Sequence, residues 1–152
     1  MIICGYQGVG KSSLYGYDNI VDLESSLFFN HETDSRPHDW YVYYCQIAEH
    51  LSKQGFTVLL STHSTVRDYL YKHCTEKVYV VFPDISLKDH WIAKLESRYT
   101  QDSSNKNYKA LANALQQFEN NIMDMAKGKL PTFVITDPNY SLYKIIEELK
   151  KQ

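Results

Sequence analysis

Five short runs of apolar, β-branched or aromatic residues recur along the chain, at Met1 to Gly5, Asn19 to Leu23, Phe56 to Ser61, Val78 to Phe82 and Thr132 to Thr136. Each is too short for a helix and lacks polar alternation, which is the pattern of a strand buried on both faces. Between them the period lengthens to that of a helix. Trp40, Tyr43, Tyr44, Ile47, Ala48 and Leu51 fall at i, i+3, i+4, i+7, i+8 and i+11, with Asp39 placed to cap the start and Gly55 to stop the end. Ser86 followed by Asp89 predicts a capped helix start, with Leu87, Trp91 and Leu95 on one face and an end near Arg98. The longest pattern predicts a helix from Asn107 to Lys127 carrying Leu111, Leu115, Phe118, Ile122 and Met125, stopped by Gly128. Leu142, Ile145, Ile146 and Leu149 predict a last one. Strands alternating with helices imply right-handed crossovers and an α/β three-layer domain, about five mostly parallel strands with helices on both faces. In such sheets ligands bind beyond the carboxyl ends of the strands.

Composition narrows the class. The 152 residues are 43% hydrophobic and 22% charged, as expected of one globular domain spanning residues 1 to 152. No run approaches the roughly 18 apolar residues of a membrane helix, so a cytoplasmic protein with no membrane partner is expected. Sixteen basic against 18 acidic residues give a net charge of −2, which argues against a long polynucleotide as the main partner and leaves room for a local basic groove. Cys4, Cys45 and Cys74 form no C-x-x-C, so reduced thiols and no metal cluster are expected. The one strongly polar break, Gln101 to Asn107, reads as a mobile loop. Both a monomer and a homodimer fit.

The chemistry follows the first strand. Gly5-Tyr6-Gln7-Gly8-Val9-Gly10-Lys11-Ser12 satisfies G-x-x-x-x-G-K-[ST] at every fixed position, between an expected strand and an expected helix. A phosphate needs a concave row of backbone N–H groups, and glycines let the chain curl closely enough to aim several at one oxyanion. Gly5, Gln7, Gly8, Val9, Gly10, Lys11, Ser12 and Ser13 are therefore the expected cradle for ATP. Lys11 would reach the β and γ phosphates, the Ser12 hydroxyl would hold Mg²⁺, and the helix that follows would turn its positive end to the anion. That helix must be short, Lys11 to Tyr15, because Gly16 and the next strand follow at once.

Two P-loop classes are excluded. The guanine-reading N-K-x-D is absent, since Asn105-Lys106-Asn107 is followed by Tyr108. The third strand ends in Ser61-Thr62-His63 without the acidic pair of a motor ATPase. A single P-loop in a short chain resembles the nucleoside monophosphate kinase superfamily. Val78 to Arg98 looks like the strand, proline turn and lid-entering helix of guanylate kinases; there Arg98 matches a phosphate-contacting lid arginine, and Lys94 stands where that family often has another. Ile20 to Ser26 is similar to the second strand of phage-type deoxynucleotide kinase-like proteins, and its Asp22-x-Glu24 to the D-x-D of shikimate kinases. The resemblance implies a lid at about 98 to 107, an acceptor-binding region at about 24 to 54, and an adenine contact in the loop Asp137-Pro138-Asn139-Tyr140, with Pro138 as the residue.

Only three of the 16 basic residues are arginines. Arg36, Arg67 and Arg98 follow the second, third and fourth expected strands, on the ligand side. Arginine grips phosphate through a planar fork that lysine lacks, so Arg67 and Arg98 are catalytic candidates and Arg36 and Arg67 acceptor-binding ones. Asp22 is expected to hold Mg²⁺ or its water, or the accepting hydroxyl, with Glu24 beside the acceptor. Tyr41 offers a ring for stacking on a base. His63 is placed to touch the acceptor or to cap or pack. The expected activity is transfer of the γ-phosphoryl group of ATP to a nucleoside or deoxynucleoside monophosphate; the alternatives are another hydroxyl, on a small metabolite or a modified base in DNA, and nucleotide binding without turnover.

Overall fold

The computed structural model describes residues 1–152, and β1 (Ile2–Gly5) lies at the centre of its sheet. The five strands stand in the order β2-β3-β1-β4-β5, and all four pairings are parallel. β2 (Ile20–Asp22) and β5 (Thr132–Ile135) are the edges, and β3 (Thr57–Leu60) and β4 (Val78–Pro83) flank the centre. Ile2, Ile3, Cys4 and all of Val58 to Leu60 are fully buried, which is why these strands show no polar alternation. Cys4 pairs with Leu60 on one side and Val80 on the other. This register puts Gly5 beside Ser61, at the point where connections leave β1 and β3 in opposite directions across the sheet, the crevice in which open α/β sheets bind ligands.

Right-handed crossovers place α1 (Trp40–Lys53), α2 (Ser64–His73) and the pair α3 (Lys88–Gln101) and α4 (Asn105–Lys127) on one face. An Arg67–Asp124 ion pair links α2 to α4 there. The other face carries α5 (Leu142–Lys150), whose Tyr143 ring lies 4.9 Å from Tyr17 in the β1–β2 connection. That connection holds no α-helix. The expected Lys11 to Tyr15 helix is a single 3-10 turn, Lys11–Leu14, because left-handed glycines at 10 and 16 bracket it and β2 follows within a few residues. The positive helix end expected at the phosphates is therefore missing, since four residues cannot build a macrodipole.

Three further expectations are corrected. α2 has no counterpart in the hydrophobic pattern because only Val66 and Leu70 of its ten residues are buried. Leu115 is 52% exposed, and the core face of α4 runs instead through Ala114, Phe118, Ile122 and Met125. The segment expected as a loop, Gln101 to Asn107, is helix except at 102 to 104. Its polar residues are internally satisfied. Asn107 is 8% exposed, donates from its side chain to the Asp102 carbonyl at 2.8 Å, and accepts from Arg98, while Ser104 caps α4.

Candidate active site

The turn after β1 is shaped by two left-handed glycines, Gly8 (φ 84°) and Gly10 (φ 107°), a conformation that side chains with a Cβ rarely adopt. The carbonyls of Gln7, Gly8 and Val9 are satisfied by residues that do not line the cleft. The Trp91 indole N–H donates to the Gln7 carbonyl at 2.8 Å, Lys94 Nζ to Gly8 at 3.0 Å, and the Tyr140 hydroxyl to Val9 at 2.7 Å. Lys94 also reaches the Tyr140 oxygen at 2.9 Å and sits over both the Trp91 and Tyr140 rings. The loop is thus clamped from behind by α3 and by the loop after β5.

The amides of this turn divide into two sets. The N–H groups of Tyr6, Val9 and Ser13 bond to Val81, Tyr6 and Gly10 carbonyls. Those of Gln7, Gly8, Gly10, Lys11 and Ser12 donate to no acceptor in the chain. Five clustered donors without partners in the chain can serve as an anion nest. Lys11 folds over it, its Nζ donating to the Gly5 carbonyl. A Cβ on Gly5 would stand 2.8 Å from Val9 and 3.2 Å from Lys11, so the tight closure requires glycine there. Burial lowers the Lys11 pKa, and the carboxylates of Asp22 and Glu24 partly offset this.

A cleft of about 480 Å³ opens in front of the loop. Of the residues singled out in the sequence, Gln7, Gly8, Val9, Gly10, Lys11, Ser12, Asp22, Glu24, Arg36 and Arg98 all line it. Asp22 ends β2 near Glu24; burial first, and the Glu24 charge second, raise its pKa. Two carboxylates lining one cleft with a hydroxyl suit a divalent cation. Ser12 lines the same cleft, and its hydroxyl makes no hydrogen bond in the chain, so the hard oxygen donors that Mg²⁺ requires are present. Arg36 is held at the far end by the Ser25 carbonyl and hydroxyl and lies 4.8 Å over the Trp40 ring. Arg98 projects from α3 and is steadied by Asn107 at 3.3 Å. Lys106 and Lys109 on α4 close the opposite wall, Lys106 pairing with Glu24 at 2.9 Å across the cleft. Lys94, Lys106, Lys109 and Tyr140 were not foreseen as site residues.

Other expected residues stand elsewhere. Arg67 lines a neighbouring recess, where it donates to the Thr62 carbonyl at 2.9 Å and pairs with Asp124, so its guanidinium is committed to joining α2 and α4. Tyr41 points to α2, edge-on to Tyr69, and does not line the cleft. Pro138 is exposed and away from the cleft; its neighbour Tyr140 is the residue of that loop that reaches the P-loop. Ser13 turns back to the Gly10 carbonyl.

His63, after β3, hydrogen-bonds through Nδ1 to the Ser61 hydroxyl at 2.7 Å. Its ring reaches solvent at the cleft rim, yet the surrounding protein, then the cations of Arg36, Lys11 and Arg67, push its pKa down to about 4. The imidazole is therefore neutral through the physiological range. NMR titration of the ring protons should show no His63 midpoint between pH 5.5 and 8; a midpoint near 6.5 would contradict this electrostatic picture.

No family model matches the chain, and no curated protein matches it. Among solved structures, a shikimate kinase from Bacteroides thetaiotaomicron is similar over 99% of this chain and 93% of its own, at 10% identity and a TM-score of 0.47. An uncharacterized protein from Eubacterium ventriosum is similar over 99% and 98%, at the same identity and score. Likeness of that degree carries no statement about substrate or activity.

Proposed function

We propose that the chain is an ATP- and Mg²⁺-dependent phosphotransferase whose acceptor is a nucleoside or deoxynucleoside monophosphate. The observation that carries this reading is the set of five partnerless amides, Gln7, Gly8, Gly10, Lys11 and Ser12, arranged around a lysine. Fixed donors in a sheltered cleft stabilise developing negative charge without reorganising, and phosphoryl transfer requires mostly positioning and charge neutralisation. Ser12 and Asp22 are the residues that would hold Mg²⁺, which supplies neutralisation of the β and γ phosphates when bound. Lys11 would move from the Gly5 carbonyl to those phosphates. Asp22 or Glu24 would take or orient the proton of the accepting hydroxyl.

The charge of the cleft supports a phosphorylated acceptor. Lys11, Arg36, Arg98, Lys106 and Lys109 face only Asp22 and Glu24, in a chain of net charge −2. That positive excess suits two phosphorylated ligands better than one, with Arg36 and Lys109 at the end away from the P-loop. The Asp22–Glu24 pair also fits a second reading, a kinase of a hydroxyl on a small metabolite. Incubation with ATP, Mg²⁺ and a panel of nucleoside monophosphates, nucleosides, small hydroxy acids and oligonucleotides separates the two. ADP release only with a monophosphate is expected; release only with an uncharged alcohol would replace the first reading by the second.

Arg98 is expected to act in the transition state. Its guanidinium, presented by α3 and steadied by Asn107, offers a bidentate partner to oxygens whose charge grows as the phosphoryl group moves. Arg98→Ala should therefore lower kcat by more than it raises the KM for ATP. Equal changes would assign it to binding alone.

A further inference from the structure

The molecule has a second groove, of about 540 Å³, between α2 and α4 over β4. It is separated from the P-loop cleft by the Arg67–Asp124 pair, which forms one of its walls. Three of its features are unused by the site described above. Lys127 and Lys129 make no hydrogen bond or ion pair with any group in the chain, although acidic residues outnumber basic ones. Lys129 instead lies 5.3 Å over the ring of Tyr71, which is 49% exposed and forms the opposite side. Between the two lysines stands Gly128, where a Cβ would come within 3.6 Å of Arg67 Nη1. A bare position there leaves the guanidinium reachable from the groove. The floor is apolar, formed by Val80, Met125 and Leu130.

We propose that this groove is a second nucleotide-binding site, separate from the P-loop. Its chemistry suits a nucleoside phosphate in both halves: a flat ring packs against Tyr71 and the apolar floor, and phosphate oxygens meet Lys127, Lys129 and Arg67 Nη1, the one guanidinium nitrogen not taken by the Thr62 carbonyl or Asp124. A single-stranded nucleic acid is less well served. It needs free cations and open rings along its length, whereas in the recess joining the groove to the cleft Lys11 is bonded to the Gly5 carbonyl, Arg67 is paired with Asp124, and Tyr6 is only 3% exposed. The proposal does not depend on phosphotransfer by the P-loop site.

Equilibrium dialysis with radiolabelled ADP and Mg²⁺ tests it by stoichiometry. Two equivalents per chain are expected for the native protein and one for the variant carrying Lys127→Ala with Lys129→Ala, whose exposed lysines bear on no core packing. Lys11→Ala should lose the other equivalent and keep this one, which distinguishes a failure here from a failure at the P-loop. Tyr71→Ala should weaken the second equivalent at least severalfold. One equivalent in the native protein that Lys11→Ala abolishes, or two in the double lysine variant, overturns the proposal. A double lysine variant that loses retention of an oligothymidylate and keeps both ADP equivalents assigns the groove to a strand path and overturns it equally.

Discussion

Lys11→Ala is expected to reduce phosphotransfer by about two to three orders of magnitude, the loss seen when one preorganised charge-stabilising donor is removed from an active site. The ammonium stands in the loop with its Nζ on the Gly5 carbonyl, where burial lowers its pKa. A cation held away from bulk water interacts with phosphate far more strongly than one in solvent, so its removal should be felt mainly in kcat. The fold should survive. The loop is clamped from behind by Trp91, Lys94 and Tyr140, none of which touches Lys11, and a lysine with a lowered pKa contributes a desolvation cost that alanine lacks. Steady-state kinetics beside a thermal melt checks both halves, and turnover within threefold of the native rate would remove the lysine from the mechanism.

Asp22→Asn is expected to lower phosphotransfer by about a hundredfold, in the range lost when a positioned proton-transfer group is removed, and to raise the melting temperature at neutral pH. The opposite signs share one cause. Burial and the neighbouring Glu24 raise the Asp22 pKa in the folded chain above its unfolded value. As pH rises, the unfolded carboxyl ionises first, so folding stability declines through the carboxylate range and stays reduced at pH 7. Asparagine removes that cost. Its advantage should shrink as pH falls to where Asp22 is protonated in both states. ATP affinity should change much less than kcat, because the five loop amides remain. A variant that melts lower at pH 7, or loses affinity and turnover in equal measure, contradicts this role.

The strands and the glycine turn after β1 were readable in the sequence because each rests on a local pattern. Ile2 to Gly5 and Val58 to Leu60 are apolar throughout since both faces are covered, and the glycines at 5, 8 and 10 mark a turn that no other residue fits. Residues whose placement depends on long-range partners were not readable. Lys94 could be aligned with a phosphate-binding position, yet the Gly8 carbonyl and the Tyr140 hydroxyl draw it behind the loop. A signal existed in Trp91 and Lys94, one turn apart on α3, since carbonyls forced outward by a phosphate loop need donors. Arg67 lies after β3 as a phosphate clamp would, and Asp124, 57 residues later, claims it. The polar run near residue 104 lacks apolar anchors and still folds tightly, because Asn107 supplies by hydrogen bonds what burial usually supplies. Pro138 matches its expected loop, but the reach of Tyr140 to Val9 makes the tyrosine the working residue there.

The phosphate cradle itself can be read amide by amide. In a ¹⁵N-labelled sample titrated with ADP and Mg²⁺, the N–H resonances of Gln7, Gly8, Gly10, Lys11 and Ser12 should move downfield as they gain acceptors, while those of Tyr6, Val9 and Ser13, already bonded within the chain, should shift little. Movement of the second set with the first unmoved, or no response anywhere from 5 to 13 under saturating nucleotide, would contradict the account.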